Sequence, residues 1–69
     1  MEKYIVKDEN TLGYIIREYP TTKNVVLVVL AADVAAGGDP LLLNRTTIAA
    51  HGSYRYATKE DGDKFMIKI

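Results

Sequence analysis

The residues of this chain that could take part in chemistry are few, and they are badly spaced for catalysis. His51 is the only histidine, and Ser53 follows two positions later. On a strand, residues two apart point the same way, so a general base and a hydroxyl could share a face. A working nucleophile also needs an acid to orient the base and a cradle for the oxyanion, and nothing nearby supplies either. Glu60-Asp61-Gly62-Asp63 carries carboxylates, but a calcium loop needs oxygen donors spaced over about twelve residues with a closing glutamate. Gly37-Gly38-Asp39-Pro40 stands ahead of a possible helix, where free N–H groups attract anions. It matches neither phosphate-binding glycine motif, Pro40 removes a donor, and Asp39 repels an anion. With no cysteine, disulfides and thiolate metal sites are excluded, and one imidazole cannot make a metal site. No enzyme activity, cofactor or metal is expected.

The residues suited to recognition are Tyr14, Arg17, Arg45, His51, Tyr54, Arg55 and Tyr56. Tyrosine offers a flat apolar face with a hydrogen-bonding tip, and arginine a planar fork that fits carboxylate or phosphate. The competing role for each is structural, since a small β-protein without tryptophan needs its tyrosines for the core, and arginine often lies over an aromatic ring. Arg55 alternates with Tyr54 and Tyr56, so the three cannot all face one pocket. Arg17 and Arg55 are the expected exposed members.

The elements that position these side chains are mostly strands. Lys3 to Lys7 holds Tyr4-Ile5-Val6, of types that prefer a pleated surface, and Leu12 to Tyr19 resumes the pattern until Pro20. The turn formers Asp8-Glu9-Asn10 join the two as a hairpin. After Thr21-Thr22-Lys23-Asn24, Val25 to Leu30 is apolar at every position, as expected of a strand at the sheet's centre with both faces covered. So short a chain can hardly supply two covering layers, so a symmetric homodimer is the expectation, with a small closed barrel as the alternative. For 40–50 the signals conflict. Asp39 could cap a short helix opened by Pro40 and stopped at Gly52, with His51 at its end, whereas Thr46-Thr47-Ile48 favours a strand; the helix is the expectation. Ser53 to Thr58 and Phe65 to Ile69 alternate as two further strands, and Asp61-Gly62 suits the hairpin turn between them.

Composition sets the outer limits. Sixty-nine residues make one domain, 1–69, and 48% apolar with 26% charged residues is the balance of a folded chain. Nine basic residues cancel nine acidic ones, so generic nucleic-acid binding is not expected. Met1-Glu2-Lys3-Tyr4 does not resemble a secretory leader, and the longest apolar run, Val25 to Ala36, is too short to span a bilayer and contains Asp33. A cytoplasmic protein off the membrane is expected. The fold class is α+β and β-dominated: a mainly antiparallel sheet of four or five strands, open or barrel-like, with at most one short helix near 40–50, all-β being the alternative. The function expected first is occupancy, docking on a partner protein to block or modulate it in the manner of inhibitors or accessory proteins of mobile elements. The second is binding of an anionic or nucleotide-like ligand, with Arg17, Arg45 or Arg55 meeting the charge and a pocket between subunits. A structural subunit joined through Val25–Leu30 is a third.

Overall fold

The computed structural model describes residues 3–69. Met1 and Glu2, on which the reading of the N-terminus partly rests, lie outside the described residues. Five strands form one antiparallel sheet: β1 (Tyr4–Lys7), β2 (Thr11–Glu18), β3 (Val25–Ala32), β4 (Thr46–Ala49) and β5 (Tyr54–Tyr56), in the spatial order β4-β3-β2-β1-β5. A seven-residue helix, α1 (Lys59–Phe65), follows. The small β-dominated α+β class read from the sequence is what the chain adopts. The sheet is open rather than barrel-like, with β4 and β5 at its edges. Its central strand is β2, so the apolar run of β3 sits one place off centre.

The first hairpin follows from local chemistry. Lys7 opposes Thr11, and Asp8 and Glu9 between them take positive φ values of 52° and 57°. Aspartate tolerates this conformation better than most residues, whereas Glu9 adopts it without that advantage. The Asp8 N–H donates to Ser53 O at 2.8 Å, which fastens the turn to the chain entering β5.

Partners across an antiparallel ladder share a face. Ile5, Ile15, Val25, Leu27, Val29 and Ala49 therefore make one continuous core on the first face, with Leu42 and Tyr54 packed against it. The cover is the 33–45 segment, which turns back over the sheet through short 3₁₀ turns at Val34–Ala36 and Pro40–Leu42. Gly38 allows its close approach, because a Cβ there would meet Asn10 O at 2.7 Å and Asp33 N at 2.9 Å.

The helix expected over 40–50 is not formed. Asp39 does cap a turn opened by Pro40, its carboxylate accepting the Leu41 N–H at 2.9 Å, but one 3₁₀ turn is all that follows. The β-branched run then wins, and Thr46–Ala49 pairs with Val25–Val28 as β4. Gly52, at φ 94°, serves a turn toward β5 and ends no helix, so His51 has no helix terminus beside it.

The C-terminal hairpin is also corrected. Tyr54–Tyr56 is a strand as expected, but Asp61-Gly62 lies inside α1 and Phe65 to Ile69 is not a strand. A capping box decides it: Thr58 Oγ1 accepts the Asp61 N–H at 3.4 Å, while the Asp61 carboxylate accepts the Thr58 N–H at 2.7 Å. Gly62 is buried against the returning tail, where a Cβ would strike Ile69 Cγ1 at 2.6 Å and Ile67 O at 2.7 Å. Glycine here serves close packing rather than a turn.

Candidate functional site

The seven recognition residues separate into distinct places. Arg55 projects from β5 on the second face, opposite Val6, and is already engaged. Its Nη1 and Nη2 donate to the two Asp61 oxygens at 2.7 and 2.9 Å, and Nε and Nη2 donate to Glu9 at 2.7 and 3.0 Å. The guanidinium beside Asp61, helped by the Thr58 N–H, holds the Asp61 carboxyl well below the usual carboxylate range. Glu9 is lowered by the same arginine, whose own pKa rises further above its ordinary value. Arg55 is thus a tie between turn 8–10, β5 and α1 rather than a free fork. Because it shares a face with Val6, Leu12 and Ala31, it also sets α1 over that end of the second face, where Val6 and Leu12 are buried.

Tyr54 and Tyr56 point the other way and meet His51 in a cleft of about 430 Å³, completed by Glu18, Tyr19, Pro20, Lys23 and Asn24. The turn after β2 and the turn before β5 come together there: Asn24 Oδ1 accepts the His51 N–H at 3.0 Å, and the Tyr54 hydroxyl donates to Lys23 O at 3.1 Å. Burial, followed by the proximity of Tyr56 and Glu18, pushes the Tyr54 hydroxyl pKa up. His51, Tyr54 and Tyr56 are thus neighbours, as residues of one site must be. No arginine is among the residues lining this cleft, and of the three expected to meet an anion only Arg17 comes near it, lying over the Tyr19 ring.

Tyr14 and Arg17 belong to the second face. Tyr4, Tyr14, Val28 and Thr46 oppose one another in a row across β1 to β4, and Arg17, Val26 and Ile48 form the next row. The Tyr14 ring meets Tyr4 edge-on at 5.2 Å, and Arg17 lies over Tyr19 at 5.3 Å from the ring centre. Helix α1 does not reach these rows. Tyr14 is 41% exposed and Ile48 56%, and Ile16, the extra residue where the β2–β3 register slips, is 53% exposed. Val26 and Val28 are half-buried between them. The second apolar face of β3, which the sequence requires to be covered, is therefore covered at one end and open at the other. Arg45 stands apart at the entry to β4, its carbonyl accepting the Val29 N–H at 2.9 Å.

Sequence reasoning missed Glu18, Tyr19, Pro20, Lys23 and Asn24 as cleft residues, and Ile16 and Ile48 as members of an open patch, of which it named only the Val25–Leu30 run and Tyr14. The two-sided apolar run did signal the patch. Nothing local signalled that residues some thirty positions apart would close a cleft.

Among the described residues, no cluster of histidine and carboxylate side chains could hold a metal ion, and no helix is long and apolar enough to cross a membrane. No protein-family model matches the chain, and no curated protein or solved structure matches it either.

Proposed function

We propose that this protein is a small binding module that acts by occupancy, docking its open sheet face on a partner protein as an inhibitor or accessory factor, without catalysis. The observation that carries this is the uncovered patch of Tyr14, Ile16, Val26, Val28 and Ile48. A chain of this size has few apolar side chains to spare, and it spends a 33–45 segment on one face and a helix on half of the other. A contiguous apolar remainder flanked by Arg17 has the make-up of an interface core with a polar rim. The test is a photo-reactive side chain at Ile16, compared with one at Lys59 on α1. Crosslinking to a discrete partner from Ile16 but not from Lys59, lost with Val28→Asp, supports the docking face. Equal crosslinking from both positions refutes it.

A second reading is favoured by the cleft itself. Tyr19, Tyr54 and Tyr56 offer stacking surfaces, with Lys23 and His51 beside them, for a small planar ligand bearing negative charge. Ligand at a hundredfold excess over its dissociation constant stabilises by about 2.7 kcal/mol, so a thermal-shift panel of nucleotides reads this out. A flat response across the panel removes the cleft from consideration.

A further inference from the structure

We propose that β4 is a self-association edge, at which two copies of this chain pair antiparallel about Thr47 and join their sheets into one. This pairing is separate from docking on a partner protein: it rests first on the free backbone groups of β4 and shares with the patch only the side chain of Ile48.

The two edges of the sheet are treated differently. At β5 the strand is only three residues long and carries Arg55, and the chain turns at once into the capping box of α1. Short length and charge are the usual defences of an edge. At β4 the sequence Thr46-Thr47-Ile48-Ala49 has no charge, no proline and no register slip against β3. Though only one residue longer than β5, it lacks the charge and the helix that protect that edge, and so is the better template for another strand.

The pairing partner follows from which backbone groups are free. Hydrogen-bonded and non-bonded pairs alternate along an antiparallel ladder. The Val29 N–H bonds Arg45 O at 2.9 Å, so the bonded pairs continue at Leu27–Thr47 and Val25–Ala49. The N–H and C=O of Thr46 and Ile48 are then directed outward, away from β3. These two positions are symmetric about Thr47. A second copy placed by a two-fold axis there sets Thr46 of each chain opposite Ile48 of the other, twice, and each such pair exchanges two N–H···O=C bonds. One strand sequence thereby satisfies both sides of the contact. Side chains agree with the register: Thr46 and Ile48 lie on the same face, so the β-branched pair packs across the seam and the open rows run on into the second sheet. Charges agree as well, since Arg45 of each copy falls opposite Ala49 of the other and no like charges meet. A domain this small buries only about 60% of its unfolded surface, so an added strand on each copy is a material gain.

The experiment is sedimentation velocity over about a hundredfold range of protein concentration, on the whole chain and two double variants. The wild-type chain is expected to shift from monomer to dimer. Thr46→Lys with Ile48→Lys sets two ammonium groups opposite each other at both pairs, and should weaken the dimer at least tenfold. Thr46→Lys with Ile48→Glu sets opposite charges there, and should restore it. Both variants change exposed side chains, so their circular dichroism should match the wild type. Three results overturn the proposal: a wild-type monomer at every concentration, a dimer that ignores both variants, or equal weakening by both.

Discussion

Arg55 and Asp61 are joined by two parallel hydrogen bonds, Nη1 to Oδ2 at 2.7 Å and Nη2 to Oδ1 at 2.9 Å, and Asp61 is at the same time the N3 residue of the α1 capping box. One carboxylate thus orders a helix start and fastens it to the sheet. Truncation to Arg55→Met leaves Asp61, whose side chain is only 10% exposed, without its cation. Urea denaturation should show a loss of about 2 kcal/mol. Arg55→Lys should recover less than half of it, because a point charge cannot reproduce the fork.

Stability should fall with acid. The Asp61 carboxyl titrates lower in the folded chain than in the unfolded chain, so below the ordinary carboxylate range the unfolded state binds more protons. The contribution is complete above about pH 4, the unfolded value, and is lost as pH drops through the lowered folded value. Melting temperature measured from pH 7 to pH 2 should decline over that range, and Asp61→Asn should flatten the decline while lowering the plateau. An unchanged pH profile in the variant would place the acid sensitivity elsewhere. Glu9, lowered by the same arginine, acts in the same direction.

Val28 and Val29 are neighbours on opposite faces, the first half-buried and the second fully buried. Val29→Lys should unfold the chain, since an unpaired ammonium in the core costs more than about 4 kcal/mol. Val28→Lys should fold, at a cost of about 1 kcal/mol, with its long stem lying along the open rows. Far-ultraviolet circular dichroism separates the two outcomes, and a folded Val29→Lys would contradict the face assignment.

Gly38→Ala should destabilise by about 1–3 kcal/mol, the cost of overpacking. The three nearest atoms a methyl would meet there are backbone, of Asn10 and Asp33, and cannot rotate aside. Gly52→Ala meets no neighbour, but carries the strain of φ 94°. Thermal melts of the two variants compare steric with conformational cost.

Tyr54→Phe removes the hydroxyl that donates to Lys23 O and leaves the ring on the core. A loss of about 1 kcal/mol is expected. A much larger loss would mean that the cleft wall depends on this bond for its shape.

How much of this was legible in the sequence varies along the chain. Strand pairs joined by short turns were readable because hairpin pairing is local, and the valine-rich stretch at Val25–Ala32 and the alternating aromatic stretch at Tyr54–Tyr56 both favour a strand. The helix at Lys59–Phe65 was hidden by two competing signals: Asp61-Gly62 resembles a hairpin turn, and Phe65, Ile67 and Ile69 alternate as a strand does. What tips the balance is Thr58 three positions before Asp61, a capping box that is legible locally, and the tie from Asp61 to Arg55 then fixes the helix to the sheet. The site divides in the same way. Alternation placed Tyr54 and Tyr56 opposite to Arg55 correctly, but whether Arg55 was free for a ligand depended on Glu9, forty-six positions away.

The spatial order of the strands has a consequence for how the chain assembles. From β1 to β4 each strand lies beside its predecessor, and then the chain leaves one edge to lay β5 along β1 at the other. The meander can zip up from nearest neighbours, whereas β5 must close the long loop between Lys7 and Tyr54 before it can pair with β1. Synthesis from the N-terminus therefore makes β1 to β4 before the segment that carries both the second edge and the Arg55–Asp61 tie. Until that segment is in place, the outer edge of β1 has no neighbour and Val6 and Leu12 lack the helix that Arg55 fastens over their end of the sheet.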